Sequence, residues 1–139
     1  MIAADNASSG ILTMAKNDPN PVIVWLSQPE PHNYPAALSY LSLVFEPAAA
    51  ADYVQQLRNA GITGFKAKDV FRASGLSLLG ISNSHVEKNI GKIEDGKALS
   101  PILLVRDGGH GRVIVADGYH RLCAVYHFHE DAEIPCKIV

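Results

Sequence analysis

The sequence predicts an α+β domain in which a small mixed sheet is flanked by helices. Three observations carry that prediction. Short β-branched or apolar runs of strand length (VIVWL, PILLV, RVIVA, IPCKIV) recur between turn residues. Between them lie segments with helix start and stop signals, such as the run from Pro47 to Gly61. Residues 82–139 read in the order helix, strand, hairpin turn, strand, helix, strand, which is mixed rather than segregated.

Taken in order, residues 1–20 are small and polar, are broken by Gly10 and Pro19, and are expected to form a loosely ordered arm. The domain proper is expected at 21–139. VIVWL at 22–26 reads as a strand. In SQPEPHNYP the three prolines Pro29, Pro31 and Pro35 predict a rigid, extended loop. AALSYLSLV at 36–44 fits strand or helix equally by period. Pro47 suits the first position of a helix running to Ala60 and stopped by Gly61. A second helix is expected from about Lys66 to Ala73, with Gly75 as its terminator. Ser84 with Glu87 three residues on is a capping-box pattern, so a helix is expected from His85 to about Asp95-Gly96. PILLV and RVIVA are the arms of a hairpin turned by RDGGHG, a helix follows at 119–128, and a last strand spans 134–139.

The totals restrict function. The chain has 139 residues, enough for one domain with a real core. Its hydrophobic share is 47% and its charged share 19%, as in ordinary soluble globular proteins. A net charge of -2 supplies no general field for nucleic acid, so DNA binding would need a local basic patch. No apolar run reaches the ~20 residues of a membrane span. The N-terminus has neither a basic stretch nor a long apolar one, so a signal peptide is not expected and the cytoplasm is the expected compartment. Cys123 and Cys136 have no metal-site spacing and read as reduced thiols.

The chemistry is sought at ADGYHRLCAVY, residues 116–126. An apolar strand enters Asp-Gly and then a helix whose first turn is Tyr-His-Arg. Helix N-termini favour anionic groups, so two cationic candidates there point to a bound anion, most simply a phosphate. Gly118, Tyr119 and His120 would offer backbone N–H groups and Arg121 a planar guanidinium, while His120 can also carry a proton. Asp117 would either cap the turn or ligate Mg²⁺. The plain structural alternative is a turn with a packed histidine and a solvated arginine. On the preceding helix His85, Lys88 and Lys92 fall within about 60° of one another, beside an apolar stripe of Val86, Ile90 and Ile93. If the two helices are neighbours, both basic faces would converge on one anion.

Other candidates carry less. His127, His129, Glu130 and Asp131 cluster, but histidines at a helix end complement the dipole and no metal site is assigned. His110 reads as a solvated loop histidine. His32 and Tyr34 lie in the proline-rich loop and would suit a pocket wall.

ADGYHRLCA resembles the phosphate-binding turn of the ParB/sulfiredoxin fold, which includes the ParB-like nuclease domain. Sulfiredoxins have Gly-Gly-Cys-His-Arg there, ParB proteins Gly-Glu-Arg-Arg, and ParB-like free serine kinases Asp-Gly-His-His-Arg. The last differs from Asp117-Gly118-Tyr119-His120-Arg121 at one position. HVEKNIGKIEDGKALSPILLV also resembles the family's helix followed by a Pro-Ile-x-Val strand, and the resemblance covers roughly 66–139. It implies that Gly118, His120 and Arg121 bind nucleotide phosphates, with Lys88, His85 and Lys92 close by. Tyr119 replaces the sulfiredoxin cysteine and Cys123 lies a turn away, which argues against sulfinic-acid reduction. The ParB arginine pair is half present and no helix-turn-helix follows, which argues against DNA partitioning.

The kinase-like turn further implies a carboxylate base from the loop after the first strand. Glu30 would be that base, with His120 as the second catalytic residue. The implied cofactor is ATP or another nucleoside phosphate with Mg²⁺, and the implied reaction is phosphotransfer to a small-molecule acceptor or nucleotide hydrolysis. Two rivals stand beside that reading. One is a non-catalytic module whose contact with a protein partner, or with a second copy of the chain, depends on nucleotide or anion. The other is a DNA-associated role of the ParB-like kind.

Overall fold

A computed structural model describes residues 21–139. The arm expected at 1–20 lies outside the described residues. Helices α1 (Asn33–Val44) and α2 (Pro47–Asn59) come first, then strand β1 (Thr63–Lys66) and helices α3 (Ala67–Ser74) and α4 (Ser84–Glu94). Strands β2 (Ile102–Asp107) and β3 (Arg112–Asp117) form the expected hairpin, followed by α5 (Tyr119–Phe128) and β4 (Glu133–Ile138). The strands make one four-stranded sheet in the order β1-β4-β2-β3. β4 runs parallel to β2, pairing Cys136 with Ile102 and Ile138 with Leu104, and the outer two pairings are antiparallel. The sheet is mixed, and the α+β expectation holds.

The continuous apolar run ILLV of β2 has a direct cause: that strand is buried on both faces. Ile102 and Leu104 join Val113, Val115, Ile134 and Cys136 in a core under α3, α4 and α5. Leu103 and Val105 join Ile114 and Ala116 in a second core, under Ala37 and Leu41 of α1 and Ala50, Val54 and Leu57 of α2. Helices therefore cover both faces, and the C-terminal end of β3 emerges between them.

Several expectations change. Residues 22–26 are not a sheet strand. They make one parallel bridge, Trp25 to Leu99, in which Leu26 N–H donates to Leu99 O at 2.8 Å and Leu99 N–H to Val24 O at 2.8 Å. The alternation is strand-like, with Ile23 and Trp25 half-buried and Val22 and Val24 exposed, but the segment pairs with a loop rather than with the sheet. The loop at 27–35 is shorter than expected, because Pro35 sits in the first turn of α1, where a missing N–H is no loss. The ambiguous stretch 36–44 is helical. The helix expected from about Lys66 is present as α3 from Ala67, and strand β1, which the sequence did not predict, directly precedes it. Gly75, left-handed at φ 67°, ends α3 as expected.

At α4 the cap is Asn83 rather than the Ser84–Glu87 box. The Asn83 Oδ1 accepts from His85 N–H at 3.0 Å and Val86 N–H at 3.2 Å. Asn83→Ala is expected to cost about 1 kcal/mol in chemical denaturation, with Ser84→Ala near neutral. Equal losses would restore the box.

No helix among the described residues is long and apolar enough to cross a membrane.

Candidate functional site

β3 ends at Asp117, Gly118 turns the chain, and α5 starts at Tyr119. Gly118 adopts φ 108°, and a Cβ there would stand 2.8 Å from the Ile102 Cβ and 2.9 Å from the Arg121 Nη2. Only glycine fits a turn this close to the sheet. It serves as the N-cap of α5, no side chain caps the helix, and Leu122 N–H donates to Gly118 O at 2.9 Å. The expectation that Asp117 caps the turn is therefore corrected. A helix starting without a side-chain cap keeps its first N–H groups for solvent or a ligand.

A cavity of about 340 Å³ opens over this turn. Ala36 and Tyr40 of α1 and Leu76 beyond α3 form its walls, and the strand end Val115 to His120 forms its floor. The volume lies at the small end of ligand pockets. Tyr119 fixes one wall, its hydroxyl donating to the Ser77 carbonyl and its ring meeting Phe71 edge-on with centroids 6.5 Å apart.

α4 and α5 are neighbours, as the converging-anion reading requires. The His85 and His120 rings lie 4.9 Å apart at 45°, and the Tyr119 ring is 5.7 Å from His120. Burial first, then His85 and Arg121, hold the His120 imidazolium below its ordinary value of 6.5. The folded chain thus binds fewer protons at His120 than the unfolded chain does. This group costs stability as pH falls below 6.5, and the cost levels off below its folded value. An NMR titration should place its midpoint under 6.5, rising when inorganic phosphate is added and in His85→Ala. A midpoint above 6.5 in the free protein would contradict this environment.

Arg121 is not free in the cavity. Its Nη2 lies 3.1 Å from Asp117 Oδ2, with the two side chains 16% and 19% exposed, and 3.5 Å from the Pro101 carbonyl. Its Nε is buried with no hydrogen-bond partner among the described residues. Asp117 and Arg121 thus form a half-enclosed pair beneath the turn.

The other expected residues spread out. On α4, Val86 and Ile93 are buried and Ile90 half-buried, as the stripe required. Lys88 is exposed and Lys92 half-buried, and neither lines the cavity. Glu30 is exposed and also outside the lining, though its loop is anchored nearby. Glu30 N–H donates to Ser100 Oγ at 3.0 Å, and the Ser100 hydroxyl donates to Asn33 Oδ1. His32 is exposed just before α1. Tyr34 does not line this cavity: it is buried in the second core with the Arg58 guanidinium 4.6 Å over its ring.

His110 has a partner after all, its Nδ1 lying 2.9 Å from Asp107 Oδ1. Asp131 pairs with Lys68 at 2.6 Å, and no group of three or more metal-ligating side chains forms among the described residues. Both thiols are buried. Burial raises Cys123 above the usual range and Cys136 to about 11, so neither is a ready nucleophile.

Sequence reasoning missed the cavity walls Ala36, Tyr40 and Leu76 because it left 36–44 unassigned and saw nothing in the loop after Gly75. Resolving 36–44 as a helix would have placed Ala36 and Tyr40 four apart on one face. Comparison with protein-family models, curated proteins and solved structures finds no match for this chain.

Proposed function

We propose that this chain is a phosphate-binding domain of the ParB/sulfiredoxin type that takes a nucleoside phosphate at the turn 117–121. One observation carries the reading: the α5 N-terminus, opened by Gly118 and without a side-chain cap, faces a cavity with the His85–His120 pair beside it. The N–H groups of the first turn receive the phosphate oxygens. His120 gains a proton as the anion arrives, because a nearby negative charge favours the imidazolium. Tyr40, partly exposed at 43%, offers its ring to a base or another flat group. Asp117 is paired with Arg121, and the described side chains form no cation site, so Mg²⁺ would arrive on the nucleotide.

Phosphotransfer would add an acceptor and a base. Glu30 takes that role only if its loop brings the carboxylate to the cavity. The second reading is a module that binds nucleotide without turnover, and the position of Glu30 outside the cavity favours it. Calorimetric titration with ATP, ADP, CTP and inorganic phosphate, each with and without Mg²⁺, tests the shared claim. Binding of one nucleotide, weakened in His120→Ala, supports it, and heatless titrations with all of them remove it. ADP release from the bound nucleotide would then separate an enzyme from a module.

A further inference from the structure

The sheet face under α3, α4 and α5 is covered unevenly. α3 has 8 residues, about 12 Å of helix. β2 and β3 have 6 residues each and extend about 20 Å. The hairpin end of this face lies at the opposite end of β3 from Gly118. Two adjoining cavities open beside α3 toward that end, sharing Phe65, Ala73, Val113 and Ile138. The inner one, about 190 Å³, reaches Val70 and Leu104 and is apolar apart from Asp69 at its edge. The outer one, about 330 Å³, ends against Arg106 and Arg112.

Charge at the mouth is one-sided in availability. Arg112 is held by Asp107, its Nε 3.3 Å from the Oδ2. Arg106 is exposed and makes no side-chain hydrogen bond or ion pair among the described residues. A dry cavity of about 150 Å³ takes benzene, so the inner cavity has room for a hydrocarbon group of about six to eight carbons. One available guanidinium at the mouth matches one carboxylate.

We propose that this groove is a second binding site, for a small amphipathic carboxylate. Its apolar tail enters between Val70, Leu104 and Val113, and its carboxylate meets Arg106. The site is independent of the nucleotide reading, since the two lie at opposite ends of β3.

The test is an NMR titration of the full chain with octanoate, octanol and acetate, following the methyl groups of Val70, Leu104, Val113 and Ile138. Octanoate should move these methyls saturably, with octanol and acetate each at least about tenfold weaker, as a lost charged hydrogen bond implies for octanol. Arg106→Glu should weaken octanoate by about tenfold or more and leave octanol unchanged. Ala73→Trp, which fills the groove from α3, should abolish binding of both. Octanol binding as tightly as octanoate, or an Arg106→Glu chain with unchanged octanoate affinity, would overturn the carboxylate assignment. Absence of saturable shifts at these methyls would overturn the site.

Discussion

Gly118→Ala is expected to destabilise the protein by about 3–5 kcal/mol, combining an unfavourable left-handed backbone with overpacking. Two independent causes act at that one carbon. At φ 108° an L residue is strained whatever space it has, and the added Cβ would lie 2.8 Å from the Ile102 Cβ in the buried wall of β2. Ile102 is fully buried and cannot swing aside as a surface side chain would. Against a total stability of about 5–15 kcal/mol this is a large fraction. The melting temperature should fall on the order of 10–20 °C. Gly109→Ala is the control, because a Cβ there meets nothing within 4 Å. It should shift stability by less than about 0.5 kcal/mol. Comparable losses at both glycines would mean that the 118 turn is not held against the sheet.

The C-terminal half of the fold was legible for local reasons. RVIVA, Asp-Gly and an apolar-periodic helix each carry their own signal, and α5 starts and ends where the sequence places it. The same stretch disclosed Gly118 as the glycine of the candidate site. The N-terminal half was less legible because tertiary pairing decides it. Residues 22–26 alternate like a strand, yet strandhood depends on a neighbour in the sheet, and theirs is the loop at Leu99. β1 is four residues with a glycine in it, and it exists because β4 pairs with it along its length. The role of Arg121 was hidden for a related reason. An i,i+4 spacing to Asp117 is visible in the sequence, but only burial of both side chains turns that spacing into a close pair that occupies the guanidinium.

That pairing makes Asp117 and Arg121 the sharpest test of the proposed site. Arg121→Ala removes the partner of a carboxylate that is only 19% exposed, and should cost about 1.5–3 kcal/mol of stability while weakening the proposed nucleotide binding at least about tenfold. Asp117→Ala separates two ways of losing that affinity. If the guanidinium contacts phosphate directly, removing Asp117 frees it, and nucleotide should bind as tightly as in the parent chain or more so. If Arg121 only braces the turn, Asp117→Ala and Arg121→Ala should weaken binding alike, and the double variant should be no worse than either single one. Stability follows the same cycle, since the double variant leaves no unpaired charge below the turn and should recover part of the loss seen in Arg121→Ala. A folded Arg121→Ala chain that binds nucleotide with the parent's affinity would dismiss both roles. Phosphate recognition would then fall to the first-turn N–H groups and the His85–His120 pair alone.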